Sequence, residues 1–532
     1  MTEDLSGAIS RRSLFAMIGK TAGIAVMYEA MASMAYAAES TFKGPIKLAG
    51  APMGASVLIL GSGWAGMVSA YELRKAGYKV QILEYNNRAG GRNWSLYGGD
   101  TYTELGGFTQ HVGFDKGLYL NPGPWRIPHH HRGVLHYAQL LGVQLEPFIQ
   151  LNYNAYVHST AAFGGKPKRY REVEADFDGY IAELLSKSMR QGALDQAVTK
   201  EDREILLAAL KNWGALDNNY AYTKSEKQSD RRGFLHPPGG GMDAMPIPSD
   251  PLSLDDMIQS RMWSAIGASK SYDVQQTMFQ PVGGMGMLGK AFGKELADVI
   301  RFNSKVIDIK QDASGVTATY VDTVKGGAPQ TAHGDYCICT IPASVLSQIP
   351  INVGAPMQAA INNLPYSAST KVGLQMKRRF WEEDEAIYGG ITYTDQPNRM
   401  IGYPSSDFFK KGKGVLLAAY TFGSGAVEYT AMSPAERVQK TLDYTANIHP
   451  QARTEFDTGV GVGWHRVPFT LGCAGSWTEA TRAAHYKDIC AIDGRIMLAG
   501  EHVSMIPAWQ EGAVLSALDA VQRLHSHIVQ GA

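Results

Sequence analysis

A glycine-rich run near the N-terminus has the residue types that bind a phosphate group. The sequence from Gly61 to Gly66 reads G-S-G-W-A-G, follows the apolar run Ser56–Leu60, and opens a stretch with helical spacing of apolar residues. In such a motif the first glycine permits a tight turn, the second lets the backbone approach a pyrophosphate, and the third allows close helix–strand packing. Glu84, eighteen residues beyond Gly66, can accept hydrogen bonds from ribose hydroxyls. The spacing predicts a dinucleotide-binding strand–helix–strand unit.

A second glycine-rich run, Arg88–Arg92, follows this carboxylate and reads R-A-G-G-R. The two arginines can neutralise a pyrophosphate, and the two glycines let the chain run close to a cofactor. The order of Glu84 and this run resembles the flavin amine oxidase family, in which E-x-x-x-R-x-G-G-R follows the FAD fingerprint. The resemblance covers the chain from about residue 53 to the C-terminus and implies FAD as the cofactor.

The C-terminal segment resembles the closing flavin motif of the same family. Leu498–His502 reads L-A-G-E-H, and Pro507–Ala513 reads P-A-W-Q-E-G-A. In that motif the glycine–glutamate pair meets the ribityl–phosphate region, and the next helix N-terminus faces the pyrimidine end of the flavin, where it stabilises the negative charge of the reduced form. The cofactor-binding residues that the resemblance implies are Gly61, Gly63, Trp64, Ala65, Gly66, Glu84, Tyr85, Gly91, Arg92, Pro124, Trp125, Arg126, Val306, Gly500, Glu501, Trp509 and Ala513.

Arg126 lies in the segment Asn121–Pro128, N-P-G-P-W-R-I-P, which resembles the G-P-x-R-hydrophobic-P motif of L-amino acid oxidases. In those relatives the arginine pairs with the substrate carboxylate, because a guanidinium offers a planar fork to a planar anion. The resemblance also implies that the Tyr403 hydroxyl completes carboxylate recognition and that Lys371 holds a water at flavin N5. The implied catalytic residues are Lys371, Arg126, Tyr403 and Trp509, and the implied substrate-binding residues are Arg126, Tyr403, Ala508, Trp509 and Cys473.

Two of these positions depart from the pattern of relatives. Cys473 aligns with the cysteine that monoamine oxidases attach to flavin, but Ala474 follows it in place of a tyrosine. We therefore expect non-covalent FAD. Ala508 stands where many relatives have glycine before the tryptophan, and its methyl group can narrow the pocket or change the local dihedral angles.

The expected reaction is the oxidation of an L-α-amino acid by hydride transfer from Cα to flavin N5. Its products would be a 2-oxo acid, ammonia and hydrogen peroxide, with O2 as the electron acceptor. Three alternatives stay open at this point. They are an L-amino acid monooxygenase that gives an amide and CO2, an amine or polyamine oxidase without a carboxylate requirement, and a non-catalytic flavin-binding protein.

Histidines and cysteines give no metal or disulfide signal. The run His129–His131 cannot converge on one ion from regular structure, and no carboxylate or cysteine spacing accompanies it, so we expect no metal site. Four cysteines in 532 residues are too few for a disulfide framework. Cys337 and Cys339 flank one residue in an apolar run, which predicts a buried strand.

These residues need a scaffold of several domains. We expect an α/β (α+β) fold, with a Rossmann-like FAD-binding domain, a mixed-sheet substrate-binding domain and a helical insertion. The expected limits are 53–115, 275–360 and 488–532 for the FAD-binding domain, 116–150 and 361–487 for the substrate-binding domain, and 151–274 for the insertion.

Periodicity predicts several elements of this scaffold. The expected strands are Ser56–Leu60, Lys79–Glu84, Lys305–Lys310 and Gly315–Val321 as a hairpin, Asp335–Ile341, and Arg495–Ala499. The expected helices are Trp64–Ala76, Glu174–Arg190, Lys200–Leu210, and Trp509–His527, with a surface loop at His236–Gly241.

Composition excludes other classes of partner. The 50 basic and 50 acidic residues cancel, so no global field draws the protein to nucleic acid. No run reaches the roughly 18 apolar residues that a membrane span needs, so we expect no stable membrane insertion. The expected partners are a small L-amino acid and O2, and the resemblance implies a homodimer. Arg11 and Arg12, followed by an apolar stretch and Ala35–Ala37, predict a twin-arginine signal over residues 1–37 and a periplasmic or secreted protein, with a cytoplasmic location as the alternative.

Overall fold

The computed structural model describes residues 39–192, 198–242 and 244–531. The expected export segment, residues 1–37, lies outside the described residues.

The strands of the described residues are short in most cases. They are β1 Ser56–Leu60, β2 Lys79–Leu83, β3 Leu96–Tyr97, β4 Thr101–Thr103, β5 Thr109–His111, β6 Tyr119–Leu120, β7 Ile127–Pro128, β8 Leu145–Phe148, β9 Tyr156–His158, β10 Lys168–Arg169, β11 Met278–Pro281, β12 Ile300–Arg301, β13 Ser304–Asp312, β14 Gly315–Asp322, β15 Gln330–Gly334, β16 Tyr336–Cys339, β17 Tyr366–Ser367, β18 Ser369–Met376, β19 Ile391–Thr394, β20 Met400–Gly402, β21 Gly414–Phe422, β22 Phe456–Gly463, β23 Ala474–Gly475, β24 Ile492–Asp493 and β25 Ile496–Leu498.

Two of the α-helices, Tyr170–Arg190 and Gln510–Gln530, are each 21 residues long. The set is α1 Trp64–Lys75, α2 Arg132–Leu140, α3 Tyr170–Arg190, α4 Lys200–Trp213, α5 Glu226–Arg232, α6 Leu254–Ser260, α7 Trp263–Gly267, α8 Gly286–Glu295, α9 Ala343–Leu346, α10 Ala355–Asn362, α11 Phe380–Glu383, α12 Gly423–Ala431, α13 Pro434–Ala446, α14 Ala452–Glu455, α15 Glu479–Ile489 and α16 Gln510–Gln530.

A six-stranded sheet carries the first glycine motif. Its strand order is β12-β2-β1-β16-β25-β24, and the first five strands run parallel. The expected strands β1, β2, β16 and β25 and the expected helices α1 and α16 are confirmed within one to three residues at each end. The sheet therefore joins three distant parts of the chain, as a Rossmann-like fold with insertions requires.

Both faces of this sheet are buried, which explains the unbroken apolar runs in its strands. In β1, Val57 and Ile59 pack with residues of α1 and α16, whereas Leu58 and Leu60 pack with residues of β13 and β14. Cys337 and Cys339 of β16 are buried on the second face, as predicted. Each of the buried valine, leucine and isoleucine side chains of β1 stabilises the folded state by about 1.5–3 kcal/mol through its removal from water. The predicted hairpin is present as antiparallel β13 and β14, to which β15 adds.

A seven-stranded sheet forms the second layer of the molecule. Its order is β10-β9-β19-β20-β21-β18-β22, and it is mixed, because β9 runs parallel to β19 while the other pairs are antiparallel. Lys371 lies in β18, an interior strand between β21 and β22, and every residue of β18 is buried. The sheet thus holds a lysine where regular hydrogen bonding fixes the backbone on both sides.

Among the described residues, five helices, α3 to α7, lie between β10 and β11 in the chain. Strands β9 and β10 precede them and pair within the seven-stranded sheet. The helices of this segment begin at Tyr170, and the expected domain limit at residue 151 stays a prediction. Besides the nearby β10, β9 pairs with β19, which lies more than 230 residues away, so local periodicity does not show this second pairing. Other domain limits stay a prediction. None of the helices in the described ranges is both long and apolar enough to cross a membrane.

Candidate active site

The first glycine motif makes a turn at the carboxyl end of β1 that only glycine can form. Gly61 has a φ of 102°, and a Cβ there would lie 2.6 Å from Thr340 Oγ1. A Cβ at Gly66 would lie 1.9 Å from the Gly61 carbonyl oxygen, so the third glycine allows α1 to pack against the turn. A Cβ at Gly63 would meet no protein atom within 4 Å, and Gly63 lines a cleft. The motif thus leaves backbone exposed to a ligand where the sequence predicts it.

The second glycine run packs directly on this turn. The Gly90 amide donates to the Ser62 carbonyl over 2.8 Å, and Gly63 and Gly90 form a parallel bridge. The two Glu84 carboxylate oxygens accept from the Ser62 amide at 2.7 Å and from the Asn86 amide at 2.8 Å. Hydrogen bonds therefore join the end of β2, the first glycine turn and the second glycine run into one unit, with the Glu84 carboxylate at its edge.

A long cleft follows the carboxyl ends of the parallel strands, and it encloses about 1220 Å³ with the space at its mouth included. Most of the implied cofactor-binding residues line it. Those that do are Gly61, Gly63, Trp64, Ala65, Glu84, Tyr85, Gly91, Arg92, Pro124, Val306, Gly500, Glu501, Trp509 and Ala513. Cys473 and Ala508, from the substrate-binding set, line it as well. The cleft matches the crevice at strand ends in which α/β folds bind dinucleotides.

Arg88 does not take the expected place beside a pyrophosphate. Its guanidinium lies over the Trp94 ring at 4.5 Å and donates to the Gly91 carbonyl at 2.7 Å, outside the lining of the cleft. Burial lowers the pKa of Arg88 to about 10. This arginine supports the shape of the glycine run, and Arg92 alone of the two lines the cleft.

Arg92 connects the two flavin motifs. Its Nη1 donates to Glu501 Oε1 and to the Cys473 carbonyl, each at 2.7 Å. Glu501 Oε2 accepts from the Ala508 amide at 2.9 Å. Burial is the largest single influence and works against the carboxylate, but the Arg92 charge, the neighbouring His502 and the hydrogen bonds from Ala508 and Arg92 together outweigh it, so the pKa of Glu501 lies below its ordinary value. The pair stays ionised inside the protein because each charge neutralises the other.

The N-terminus of α16 lies at the same cleft. Trp509 precedes the first helical residue, and both Trp509 and Gln510 line the cleft. Glu511 is fully buried in the first turn and accepts from the Gly133 and Val134 amides at 2.9 and 2.8 Å. It thereby caps α2 and fixes α16 against it. The partial positive charge of the α16 N-terminus thus lies at the cleft, where it would stabilise an anionic group.

Arg126 is buried and lies two residues beyond Pro124, which lines the cleft. Its Nη1 donates to Gln150 Oε1 at 2.9 Å. Gln150 Nε2 in turn lies 3.5 Å from the Tyr393 hydroxyl, which accepts from it. The structure therefore groups a guanidinium, an amide and a phenol, three groups that can bind a carboxylate.

Tyr403 is not brought to Arg126, contrary to the expectation from the resemblance. Its hydroxyl lies 2.7 Å from Thr392 Oγ1 and 2.7 Å from His449 Nε2. Thr392 and Tyr393 are neighbours in β19, so their side chains point to opposite faces of the sheet. Tyr403 thus lies on the face away from the Arg126–Gln150–Tyr393 group. Which face of β19 meets Arg126 depends on distant strands, so local pattern does not show it.

Lys371 is buried and contacts the loop that leads to Arg126. Its Nζ donates to the carbonyls of Gly123 and, at 3.3 Å, Asn121, and lies 4.2 Å from the Tyr420 ring centroid. A protonated lysine has three donors, so these two bonds leave a third N–H. Burial lowers the pKa of Lys371 to about 7. The amine therefore titrates near neutrality, in a range useful for proton transfer.

Two members of the histidine run lie beside a carboxylate that is distant in sequence. The structure brings His130 and His131 together with Asp273, with one possible ligand atom of each within 4.8 Å of the others. Asp273 lies 142 residues beyond His131, so no short-range spacing signals it. A tertiary contact thus brings two histidines and a carboxylate together, and the expectation of no metal site stays a prediction.

The fold, the turn and the cleft define a protein that binds a dinucleotide at the carboxyl edge of a parallel sheet. The description "Flavin containing amine oxidoreductase" belongs to the family that matches residues 64–525. The chain belongs to this family, and it is therefore a flavin-dependent oxidoreductase of the amine class.

Individual relatives agree with this assignment. An L-amino-acid oxidase of Siganus canaliculatus is 28% identical over 473 residues, which cover 88% of this chain and 85% of that protein. An L-amino-acid oxidase of Vipera ammodytes ammodytes is 27% identical over 472 residues, which cover 88% and 92%. The solved structure of cyclohexylamine oxidase from Brevibacterium oxydans IH-35A is similar with a TM-score of 0.59 at 15% identity, covering 90% of this chain and all of that one. This last likeness supports the fold alone.

Proposed function

We propose that the protein catalyses the oxidative deamination of L-amino acids, in which an L-amino acid, O2 and water give a 2-oxo acid, ammonia and hydrogen peroxide. The observation that carries the proposal is the buried Arg126 guanidinium, two residues beyond the cleft-lining Pro124 and hydrogen-bonded to Gln150. An enzyme for simple amines has no carboxylate to bind at such a place. The relatives named L-amino-acid oxidase support the same substrate class.

The cofactor that fits the cleft is FAD, which supplies a hydride acceptor when bound. Gly61, Gly63 and Glu84 would hold its adenosine side, Arg92 and Glu501 its central part, and the α16 N-terminus its anionic ring end. The Val306 backbone would meet the adenine. The fit rests on the open backbone at Gly63 and on a cleft that runs along all of these residues.

The chain's own residues would bind, orient and deprotonate the substrate. Arg126 and Tyr393 would hold the carboxylate, so that Cα–H is fixed relative to the cofactor. The Ala508 carbonyl would receive the amine. The substrate ammonium must lose a proton before its nitrogen can support hydride loss, and Lys371 Nζ, whose pKa is about 7, can accept that proton through a bound water. Trp509 would form a wall of the substrate space.

Non-covalent attachment is part of the proposal. Cys473 lines the cleft, but burial raises the pKa of its thiol above the ordinary value. A protonated thiol is a poor nucleophile, so thioether formation with the flavin is disfavoured. Acid precipitation should release the yellow cofactor into the supernatant, and colour that stays with the pellet would contradict this part.

Export and assembly complete the proposal. Residues 1–37 would direct the folded protein through twin-arginine export, and two chains would form a homodimer. Lysine substitution of both Arg11 and Arg12 should keep the protein in the cytoplasm. Light scattering of the purified flavoprotein should give a mass near 116 kDa, about twice 57.8 kDa, and a monomer mass would remove the dimer from the proposal.

One experiment tests the activity. Hydrogen peroxide is measured with each of the twenty L-amino acids and with their decarboxylated amines, and the organic products are identified. We expect stoichiometric peroxide and 2-oxo acid, with no turnover of the amines. Amide and CO2 would show a monooxygenase, and preferred turnover of the amines would show an amine oxidase. Arg126→Ala should raise KM for amino acids by about 100-fold or more while the bound flavin spectrum stays intact.

A further inference from the structure

Three buried polar side chains meet beside the candidate active site without any role in the proposed reaction. His130 and His131 lie in the loop that enters α2, and Asp273 lies in a 3₁₀ turn, Tyr272–Val274, that follows the helical segment. The residues His130, His131 and Asp273 are 4%, 1% and 5% exposed, respectively. His130 Nε2 is 3.6 Å from Asp273 Oδ1, and the cluster has one possible ligand atom from each residue within a mutual 4.8 Å.

The polar atoms of this cluster lack hydrogen-bond partners. Within the described part of the chain, both ring nitrogens of His130, Nε2 of His131 and Oδ1 of Asp273 are buried and make no hydrogen bond. Leaving a buried polar atom without a partner is unfavourable, so four such atoms at one place favour a bound ion or water.

The rings are fixed in position by their neighbours. His130 stacks on Tyr272 with centroids 4.4 Å apart, and His131 meets the Trp509 ring edge-on at 5.0 Å. A fixed pair of imidazoles beside a carboxylate is a donor set that suits Zn²⁺ more than Mg²⁺ or Ca²⁺, which prefer oxygen ligands throughout.

We propose that His130, His131 and Asp273 form a binding site for a divalent transition-metal ion, with Zn²⁺ as the expected ion and water as the fourth ligand. Ligands at roughly 2.0–2.2 Å from zinc lie roughly 3.4 Å from one another in a tetrahedron. The His130–Asp273 separation of 3.6 Å already matches this geometry. The His131 donor atom can reach the same separation from the other two through small side-chain rotations, because the three atoms lie within 4.8 Å of one another.

An ion at this site would connect two parts of the active-site wall that are distant from each other in sequence. His130 and His131 follow Arg126 by four and five residues, and Asp273 ends the segment that contains α3 to α7. A bound ion would therefore link the carboxylate-binding loop to the helical segment. This inference does not depend on the proposed substrate, because it rests on the donor atoms alone.

Zinc binding to the flavin-loaded full chain tests the proposal. The protein is treated with a chelator, dialysed, and titrated with ZnCl2 in a calorimeter, and bound metal is counted by atomic emission. We expect one Zn²⁺ per chain with a Kd of about 10 μM or tighter. Asp273→Asn and His130→Asn should each weaken binding by about 100-fold or more, since each removes a ligand.

A neighbouring histidine provides the matched control. His129→Asn, at an exposed position beside the cluster, should bind zinc as the wild type does. Flavin absorbance and Tm show whether each variant folds, and if Asp273→Asn does not fold, His130→Asn decides. The proposal is overturned if the wild type takes up no zinc at about 100 μM free metal. Equal zinc affinity in the wild type and in a folded ligand variant would overturn it as well.

Discussion

Arg92 and Glu501 form an ion pair of 2.7 Å, although 409 residues separate them in the sequence. The pair joins the loop after the first glycine motif to the segment that precedes α16. Both residues line the cleft, so the distance between the two halves of the cofactor site depends on this contact.

Arg92→Met should destabilise the protein and release the flavin. The change leaves the buried Glu501 carboxylate without its counter-charge, and breaking such a pair costs about 3–5 kcal/mol. The absorbance ratio of flavin to protein and the Tm measure the two effects. Arg74→Met is the control, because its exposed pair with Glu295 contributes about 1 kcal/mol at most. Full flavin content and an unchanged Tm in Arg92→Met would contradict the assigned role.

Tyr393→Phe and Tyr403→Phe should change different properties of the enzyme, KM in the first case and Tm in the second. Tyr393→Phe removes a hydroxyl that lies 3.5 Å from the Gln150 amide beside Arg126, and we expect KM for L-amino acids to rise by about tenfold. Tyr403→Phe removes hydrogen bonds to Thr392 and His449, so it should lower Tm and leave KM unchanged. Steady-state kinetics and thermal unfolding on both variants measure this. The reverse pattern would restore Tyr403 as the carboxylate ligand.

The stability of the wild type relative to Lys371→Met should rise with pH. The pKa of Lys371 is lowered by burial from 10.5 to about 7, so between these values the unfolded chain holds a proton that the folded chain does not. Stability increases with pH wherever the unfolded state binds more protons. Below pH 7 the folded protein carries the full cost of a buried charge, which the methionine variant lacks. The Tm difference, wild type minus variant, should be more positive at pH 9 than at pH 6, and a difference independent of pH would refute the lowered pKa.

Ala508→Gly should stabilise the protein. Ala508 has a φ of 67°, a left-handed conformation that costs a residue with a Cβ about 1–2 kcal/mol. The greater freedom of glycine in the unfolded chain offsets about 0.5–1 kcal/mol of this gain, so the net increase should be about 0.5–1 kcal/mol. Denaturant unfolding measures it. Ala208→Gly, at an exposed position inside α4, should instead destabilise by about 1 kcal/mol. A loss of stability in Ala508→Gly would show that the methyl group contributes packing.

The sequence predicted the parts of the fold and site that depend on local pattern. Strand Ser56–Leu60, the turn at Gly61 and the start of α1 follow from residues within one short segment, and all three are present. The resemblance placed most cofactor-binding positions on the cleft for the same reason, since motifs are local.

Features that depend on tertiary pairing were not accessible in this way. The choice between Tyr393 and Tyr403 is set by which face of β19 meets Arg126. The approach of Asp273 to His130 is set by the path of the helical segment. In each case the decisive contact joins residues far apart in the chain, and one sequence carries no local signal for it.

The order of the strands in the six-stranded sheet has a consequence for synthesis. Strand β25, which pairs with β16, and helix α16, which closes the cleft, are among the last segments that a ribosome makes. At roughly 5–20 residues per second, Glu501 emerges roughly 20–90 s after Gly61. Between the synthesis of β16 and that of β25, this edge of β16 has no partner strand, and the cofactor site lacks one wall. The cofactor site is therefore complete only once the C-terminal segment is made, and chaperones have their main opportunity to protect the unpaired edge before then.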